Sequence, residues 1–119
     1  APHSKQEKEP EYSKAPNGFI GIETMLPLIY THFVDKGIAT LDQFLNWLVY
    51  NPRKVFSLPE RKIEIGQVAD LTVLDINTTR KYTKEEILSL STNCPYIGME
   101  MKGFPILTIY KGNIVWEEE

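Results

Sequence analysis

The sequence has 119 residues, a net charge of −3, and 42% hydrophobic against 24% charged residues. That suffices for one domain with its own core, in ordinary globular proportions, but not for a β/α barrel of roughly 250 residues. The charge leaves no basic footprint for nucleic acid. No stretch reads as a membrane span or a secretory leader, and the single cysteine, Cys94, cannot close an internal disulfide. These exclusions point to the cytoplasm.

Two Ala-Pro dipeptides, Ala1-Pro2 and Ala15-Pro16, bracket the opening, and each proline biases its alanine toward extended geometry. Between them, Ser4 to Lys14 carries charge and almost no apolar anchor, and reads as a solvated, mobile loop. His3 stands at its head. At its far end the glycine-rich turn Asn17-Gly18-Phe19-Ile20-Gly21 runs into an apolar helix. This is the layout of a loop after a barrel strand, where function concentrates, although no strand precedes it.

Ile22, Met25, Leu26, Ile29 and Phe33 recur at three and four residues, the spacing of one helix face. The pattern predicts a helix at about Met25 to Asp35, with Pro27 in its first turn and Gly37 as its stop. His32 lies on it, and a lone helical histidine is far more often structural than catalytic. Thr40-Leu41-Asp42-Gln43 is a capping box. The stripe Leu41, Phe44, Leu45, Leu48 and Val49 predicts a second helix to about Tyr50. Asn51-Pro52 is expected to end it and to cap a short third helix carrying Val55 and Phe56. Trp47 and Tyr50 read as helix-to-helix packing rather than a ligand platform.

Ser57 to Lys62 reads as a linker, and from there the period changes from helical to alternating. Ile63 and Ile65 flank Glu64, Gly66-Gln67 makes a turn, and Leu71-Thr72-Val73-Leu74 is strand-like, closed by Asp75 and Asn77. Asn77-Thr78-Thr79 matches the glycosylation sequon by chance in a chain without secretory features. Thr83-Lys84-Glu85-Glu86 is another capping box, predicting a short helix to about Leu90. Met99, Met101 and Pro105 to Tyr110 read as strands joined through Gly103. Lys111-Gly112-Asn113 is a hairpin turn, Ile114-Val115-Trp116 the last strand and Glu117 to Glu119 a solvated tail.

Little of this is catalytic equipment. The two histidines, His3 and His32, form no paired metal-binding pattern, and Cys94 has no cysteine partner at ligand spacing. Cys94 has no base beside it in sequence and reads as an inert thiol. Gly18-Phe19-Ile20-Gly21 lacks the Lys-Ser/Thr of a phosphate loop.

Three stretches carry a resemblance. Ala1-Pro2-His3, a Glu/Lys-rich spacer, and then Ala15-Pro16-Asn17-Gly18 with Gly21-Ile22-Glu23-Thr24 and Pro27-Leu28 resemble the last barrel loop of bacterial dihydroorotases. Gly66-Gln67-Val68-Ala69-Asp70-Leu71, running on to Asp75, resembles a strand motif of the wider amidohydrolase superfamily. Gly103 to Gly112 resembles that family's closing hairpin. The resemblance covers the whole chain in order.

It implies an α/β fold. Residues 1–58 would be the last loop and outer helices at the C-terminal end of a (β/α)8 TIM-like barrel. Residues 59–119 would be the C-terminal part of a small β-sandwich that an N-terminal segment completes. It also implies a zinc-dependent enzyme of pyrimidine synthesis that interconverts N-carbamoyl-L-aspartate and L-dihydroorotate. The family's catalytic Asp would lie just upstream of Ala1, and the zinc ligands upstream as well. No catalytic and no metal residue is then expected in this chain, and alone it would be inactive. Substrate binding remains: His3 for the carboxylate, from the side away from the metal, with Asn17 and Gly18 bringing backbone donors to the ring amide or carboxylate. The implied partners are the small-molecule substrate, a second copy in a homodimer, or an aspartate transcarbamoylase. The rival readings are another cyclic amidohydrolase, hydantoinase- or allantoinase-like, and a non-catalytic dihydroorotase-like subunit supporting a transcarbamoylase.

Overall fold

The computed structural model of the chain describes residues 3–118. The extended start expected at Ala1-Pro2 and the last residue of the expected tail, Glu119, lie outside the described residues.

Local sequence explains most of the helices. Ser4 and Glu7 cap each other reciprocally around one helical turn, α1 (Lys5–Lys8). The stretch expected as a featureless loop is therefore exposed but partly ordered. α2 (Met25–Ile29) continues into a π-helical turn (Tyr30–Val34), with Pro27 in its first turn and Gly37 past its end at φ 68°, as its sequence suggests. α3 (Leu41–Leu45) starts at the Thr40/Gln43 capping box.

The expected break at Asn51-Pro52 does not occur. α3 runs through a π-helical turn (Asn46–Tyr50) directly into α4 (Asn51–Val55). Proline has no N–H for the carbonyl one turn back, and its ring crowds that carbonyl. The wide turn before it relieves the crowding, and the Asn51 N–H donates five residues back to the Asn46 carbonyl. Asn51 is thus a helical residue and not a cap.

The second half is built of strands. Sheet order is β1 (Leu71–Asp75), β4 (Phe104–Tyr110), β5 (Asn113–Glu117), antiparallel throughout. β2 (Arg80–Lys81) and β3 (Glu100–Met101) form a separate short pair. The β4–β5 turn has both Lys111 (φ 50°) and Gly112 (φ 80°) in the left-handed region, the twist that two-residue hairpins favour.

Both aspartates of the superfamily-like motif are structural in this fold. Asp70 accepts the Lys111 N–H at 2.7 Å and pairs with Arg61 at 2.9 Å, pinning the hairpin turn. The Lys111 hydrogen bond, helped by Arg61, holds its carboxyl below the usual value. Asp75 accepts the Asn77 and Thr78 N–H groups at 2.9 and 3.1 Å and closes the turn after β1.

Two strand-half expectations fail. Ile63 and Ile65 are 87% and 108% exposed and pair with no strand among the described residues, so their alternation has no ladder to join. The helix predicted from Thr83 to about Leu90 is a single 3-10 turn (Lys84–Glu86), and Ile87 is already extended at ψ 117°. The Thr83 N–H donates to the Glu86 carboxylate, but the N–H groups of Leu88 and Ser89 go to the Glu23 carboxylate instead of to the helix.

The core straddles the change of composition near residue 58. Ile20 packs with Tyr82, Cys94, Met101 and Phe104, with Leu28 against them. Thr31 Oγ1 accepts the Lys102 N–H at 2.9 Å and donates to the Lys102 carbonyl, fixing the π-helical turn to the strand half. Trp47 meets Phe33 edge-on at 5.8 Å, the helix-to-helix packing expected of it.

Much of the apolar stripe of the first predicted helix faces away from this core, although Leu26 and Ile29 are half-buried. Thr24, Pro27 and Tyr30 are buried, whereas Ile22, Met25 and Phe33 are exposed. β5 is exposed along its length. The accessible surface is 8922 Å² for 13.7 kDa, against about 6,600 Å² for a compact protein of that mass. The radius of gyration is 16.6 Å, against about 13.5 Å.

Candidate functional site

The three residues singled out for substrate binding come together. His3 Nε2 lies 3.1 Å from the Asn17 carbonyl, across 14 residues of chain. A carbonyl only accepts, so the ring proton sits on Nε2 in this contact. Gly18 follows at φ 96°, a backbone that side-chain-bearing residues rarely adopt. Among the described residues, the N–H groups of Asn17 and Gly18 donate to no protein acceptor, while both carbonyls are taken. The turn therefore offers backbone donors and keeps its backbone carbonyls occupied, the polarity that suits an anionic or carbonyl-bearing ligand.

Lys8 was not legible as part of this cluster. α1 carries its ammonium back over the loop, where it donates to the carbonyls of Pro16 (2.5 Å) and Gly18 (2.6 Å). The Ser4-x-x-Glu7 capping pattern in the sequence could have signalled the turn that brings it there. Its charge lies at the turn and further favours an anion.

The loop is tied down from the other half of the chain. Glu23 accepts the N–H groups of Leu88 (3.0 Å) and Ser89 (3.1 Å), the Ser89 hydroxyl and, at 3.4 Å, the Tyr82 hydroxyl. Burial alone would raise the Glu23 carboxyl, but these hydrogen bonds outweigh it and hold the carboxyl below its usual value. Burial and the Glu23 charge push the Tyr82 hydroxyl up to about 12.

A depressed carboxyl stabilises the fold fully above its unfolded value and loses that contribution as pH falls through the folded value. Acidification below the ordinary glutamate range should therefore release the Leu88–Ser89 segment. Glu23→Gln should cost about 1–3 kcal/mol and abolish that pH dependence. Hydrogen exchange at the Leu88 and Ser89 amides of the full-length protein measures both; protection in the variant equal to wild type would remove Glu23 from this role.

Other chemistry-bearing residues stand apart. His32 Nδ1 lies 3.4 Å from Lys36 Nζ, in the turn that follows its helix. Cys94 is buried in the core. Among the described residues, no group of three or more His, Cys, Asp or Glu side chains could hold a metal ion, and no helix is long and apolar enough to cross a membrane.

No protein-family model matches the chain. Individual relatives do. It is 44% identical over 119 residues to a dihydroorotase of Staphylococcus epidermidis, covering 100% of this chain and 28% of that protein. It is 40% identical over 119 residues to the dihydroorotase of Halalkalibacterium halodurans, with the same coverage. To that of Endomicrobium trichonymphae it is 42% identical over 118 residues, 98% of this chain and 28% of the other.

Among solved structures, an L-hydantoinase (dihydropyrimidinase) from Arthrobacter aurescens matches 88% of this chain and 24% of its own length, with TM-score 0.80 and 34% identity. A D-hydantoinase from a Bacillus sp. matches 90% and 24%, with TM-score 0.80 and 28% identity. The chain spans little more than a quarter of the length of the curated relatives it matches, which fits a C-terminal piece of such a protein. Over its whole sequence, the chain is similar to about a quarter of each of these dihydroorotases.

Proposed function

We propose that this chain is the C-terminal part of a zinc-dependent dihydroorotase interconverting N-carbamoyl-L-aspartate and L-dihydroorotate, and that it supplies the carboxylate side of the substrate pocket. The observation that carries this is the His3–Asn17 contact at 3.1 Å, with Gly18 beside it. It gathers the three expected binding residues into one donor-rich turn. On substrate binding the His3 Nε2–H turns from the Asn17 carbonyl to the substrate carboxylate, and the Asn17 and Gly18 N–H groups receive a carboxylate or ring-carbonyl oxygen.

On this reading, residues 1–58 are the last loop and outer helices of a TIM-like barrel. Residues 59–119 are part of a β-sandwich beside it. The outward apolar stripe of Ile22, Met25 and Phe33 and the exposed β5 support this, since both are surfaces that a longer chain would cover. Zinc supplies the Lewis acid of such enzymes, but the described residues do not fit it. Its ligands, and the catalytic Asp, belong to residues outside this chain. The parent enzyme is cytoplasmic and works as a homodimer or on an aspartate transcarbamoylase.

The hydantoinase likeness favours a second reading, a cyclic amidohydrolase for rings without a carboxylate. His3 separates the two. In the full-length enzyme, His3→Ala should lower kcat/KM for dihydroorotate about ten- to a hundredfold. That is the loss of a charge-assisted hydrogen bond of about 1.5–3 kcal/mol. Bound zinc should not change. Steady-state kinetics with metal analysis test it; lost zinc, or unaltered kinetics, would remove His3 from the site.

A further inference from the structure

The residues that fix the proposed carboxylate turn come from the opposite end of the chain. Asn93 Nδ2 donates to the Gly18 carbonyl at 3.2 Å, across 75 residues. Asn93 also accepts the Ile20 N–H at its own carbonyl, at 3.3 Å, so it grips the turn on both sides of Phe19. The Ser91 hydroxyl, in a residue only 4% exposed, lies within hydrogen-bond reach of the His3 carbonyl and of Asn93 Oδ1, one proton between two acceptors. Ser91 and Asn93 thus touch the backbone of both His3 and Gly18, and neither uses the atoms offered to a ligand.

Their own segment is held at each end. Glu23 anchors it at Leu88 and Ser89, and Cys94 is buried in the core immediately after Asn93. The segment is a fixed shelf, and the turn that carries the binding groups rests on it.

We infer that Asn93, with Ser91 behind it, is a positioning residue for substrate binding: it sets the register of the His3 ring and the Asn17–Gly18 N–H groups through their backbone. The inference rests on the carboxylate-pocket reading above. Losing such a residue blurs the binding geometry before and during the reaction alike, so it raises KM while sparing kcat.

The test is Asn93→Ala in the full-length zinc enzyme, beside His3→Ala, with KM, kcat, zinc content and thermal midpoint measured for each. A rise in KM for dihydroorotate of about tenfold, with kcat within about twofold and zinc and midpoint unchanged, is the expected result. An unmoved KM in Asn93→Ala while His3→Ala raises it would overturn the positioning role and leave the site reading standing. An unmoved KM in both would bring down the site reading, and this inference with it. A fall in kcat and midpoint together, with KM unchanged, would make Asn93 merely structural and overturn the proposal. If Asn93→Ala does not yield soluble protein, Ser91→Ala is read by the same criteria.

Discussion

Expressed by itself, the 119-residue chain should turn over no dihydroorotate and retain no stoichiometric zinc. A hydrolytic zinc site needs about three protein ligands in fixed geometry, and the described residues bring no such group together. On the proposed reading, the turn at His3, Asn17 and Gly18 binds a carboxylate and does not activate water. The isolated chain should also bind apolar dyes or associate, because Ile22, Met25, Phe33 and the length of β5 lie open. The experiment is to purify residues 1–119, dialyse them against zinc, and assay ring opening of dihydroorotate beside the full-length enzyme. Measurable turnover with one bound zinc per chain would mean that the chemistry sits in this segment after all.

What could be read from the sequence was what neighbouring residues decide. The Thr40/Gln43 box opens α3, Pro27 sits in a first turn, Gly37 follows the helix end, and Lys111-Gly112 makes the hairpin turn. Each depends on atoms within a few residues. The failures share the opposite property. The helix after Thr83 stops early because a carboxylate 65 residues away takes the Leu88 N–H. The alternation at Ile63 and Ile65 finds no strand to pair with among the described residues.

The first helix was read with the right period but much of its stripe faces away from this chain's core. Periodicity reports that a face is apolar and not what covers it. At the site, His3, Asn17 and Gly18 were reachable only through a resemblance, since nothing in their own spacing brings a ring to a carbonyl 14 residues on. Ser91 and Asn93 left no mark at all. They act on backbone carbonyls 88 and 75 residues away, and a backbone carbonyl has no letter in the sequence.

Gly103→Ala should be the most damaging small substitution in the strand half, at about 2–5 kcal/mol. Two terms add. Gly103 has φ 80°, where a Cβ is strained against its own backbone by about 1–2 kcal/mol. That Cβ would also meet Tyr30 at 2.7 Å from its Cβ and 2.8 Å from its Cγ. Those atoms are rooted at the start of a helical side chain and cannot swing aside, and overpacking of this kind costs about 1–3 kcal/mol.

The contact is also the seam of the fold. The Gly103 N–H donates to the Asp75 carbonyl at 2.8 Å, and the adjacent Lys102 exchanges two hydrogen bonds with Thr31 and pairs with Asp35 at 2.8 Å. Pushing Tyr30 off Gly103 therefore loosens the helix, the turn after β1 and the start of β4 together. Denaturant unfolding of the full-length protein, with hydrogen exchange at Lys102 and Gly103, reads the loss. Gly112→Ala, at φ 80° with open space around its Cβ, is the matched control and should lose only the backbone share, about 1–2 kcal/mol. Equal losses at the two glycines would mean that Tyr30 yields freely and that the close approach at Gly103 carries none of the cost.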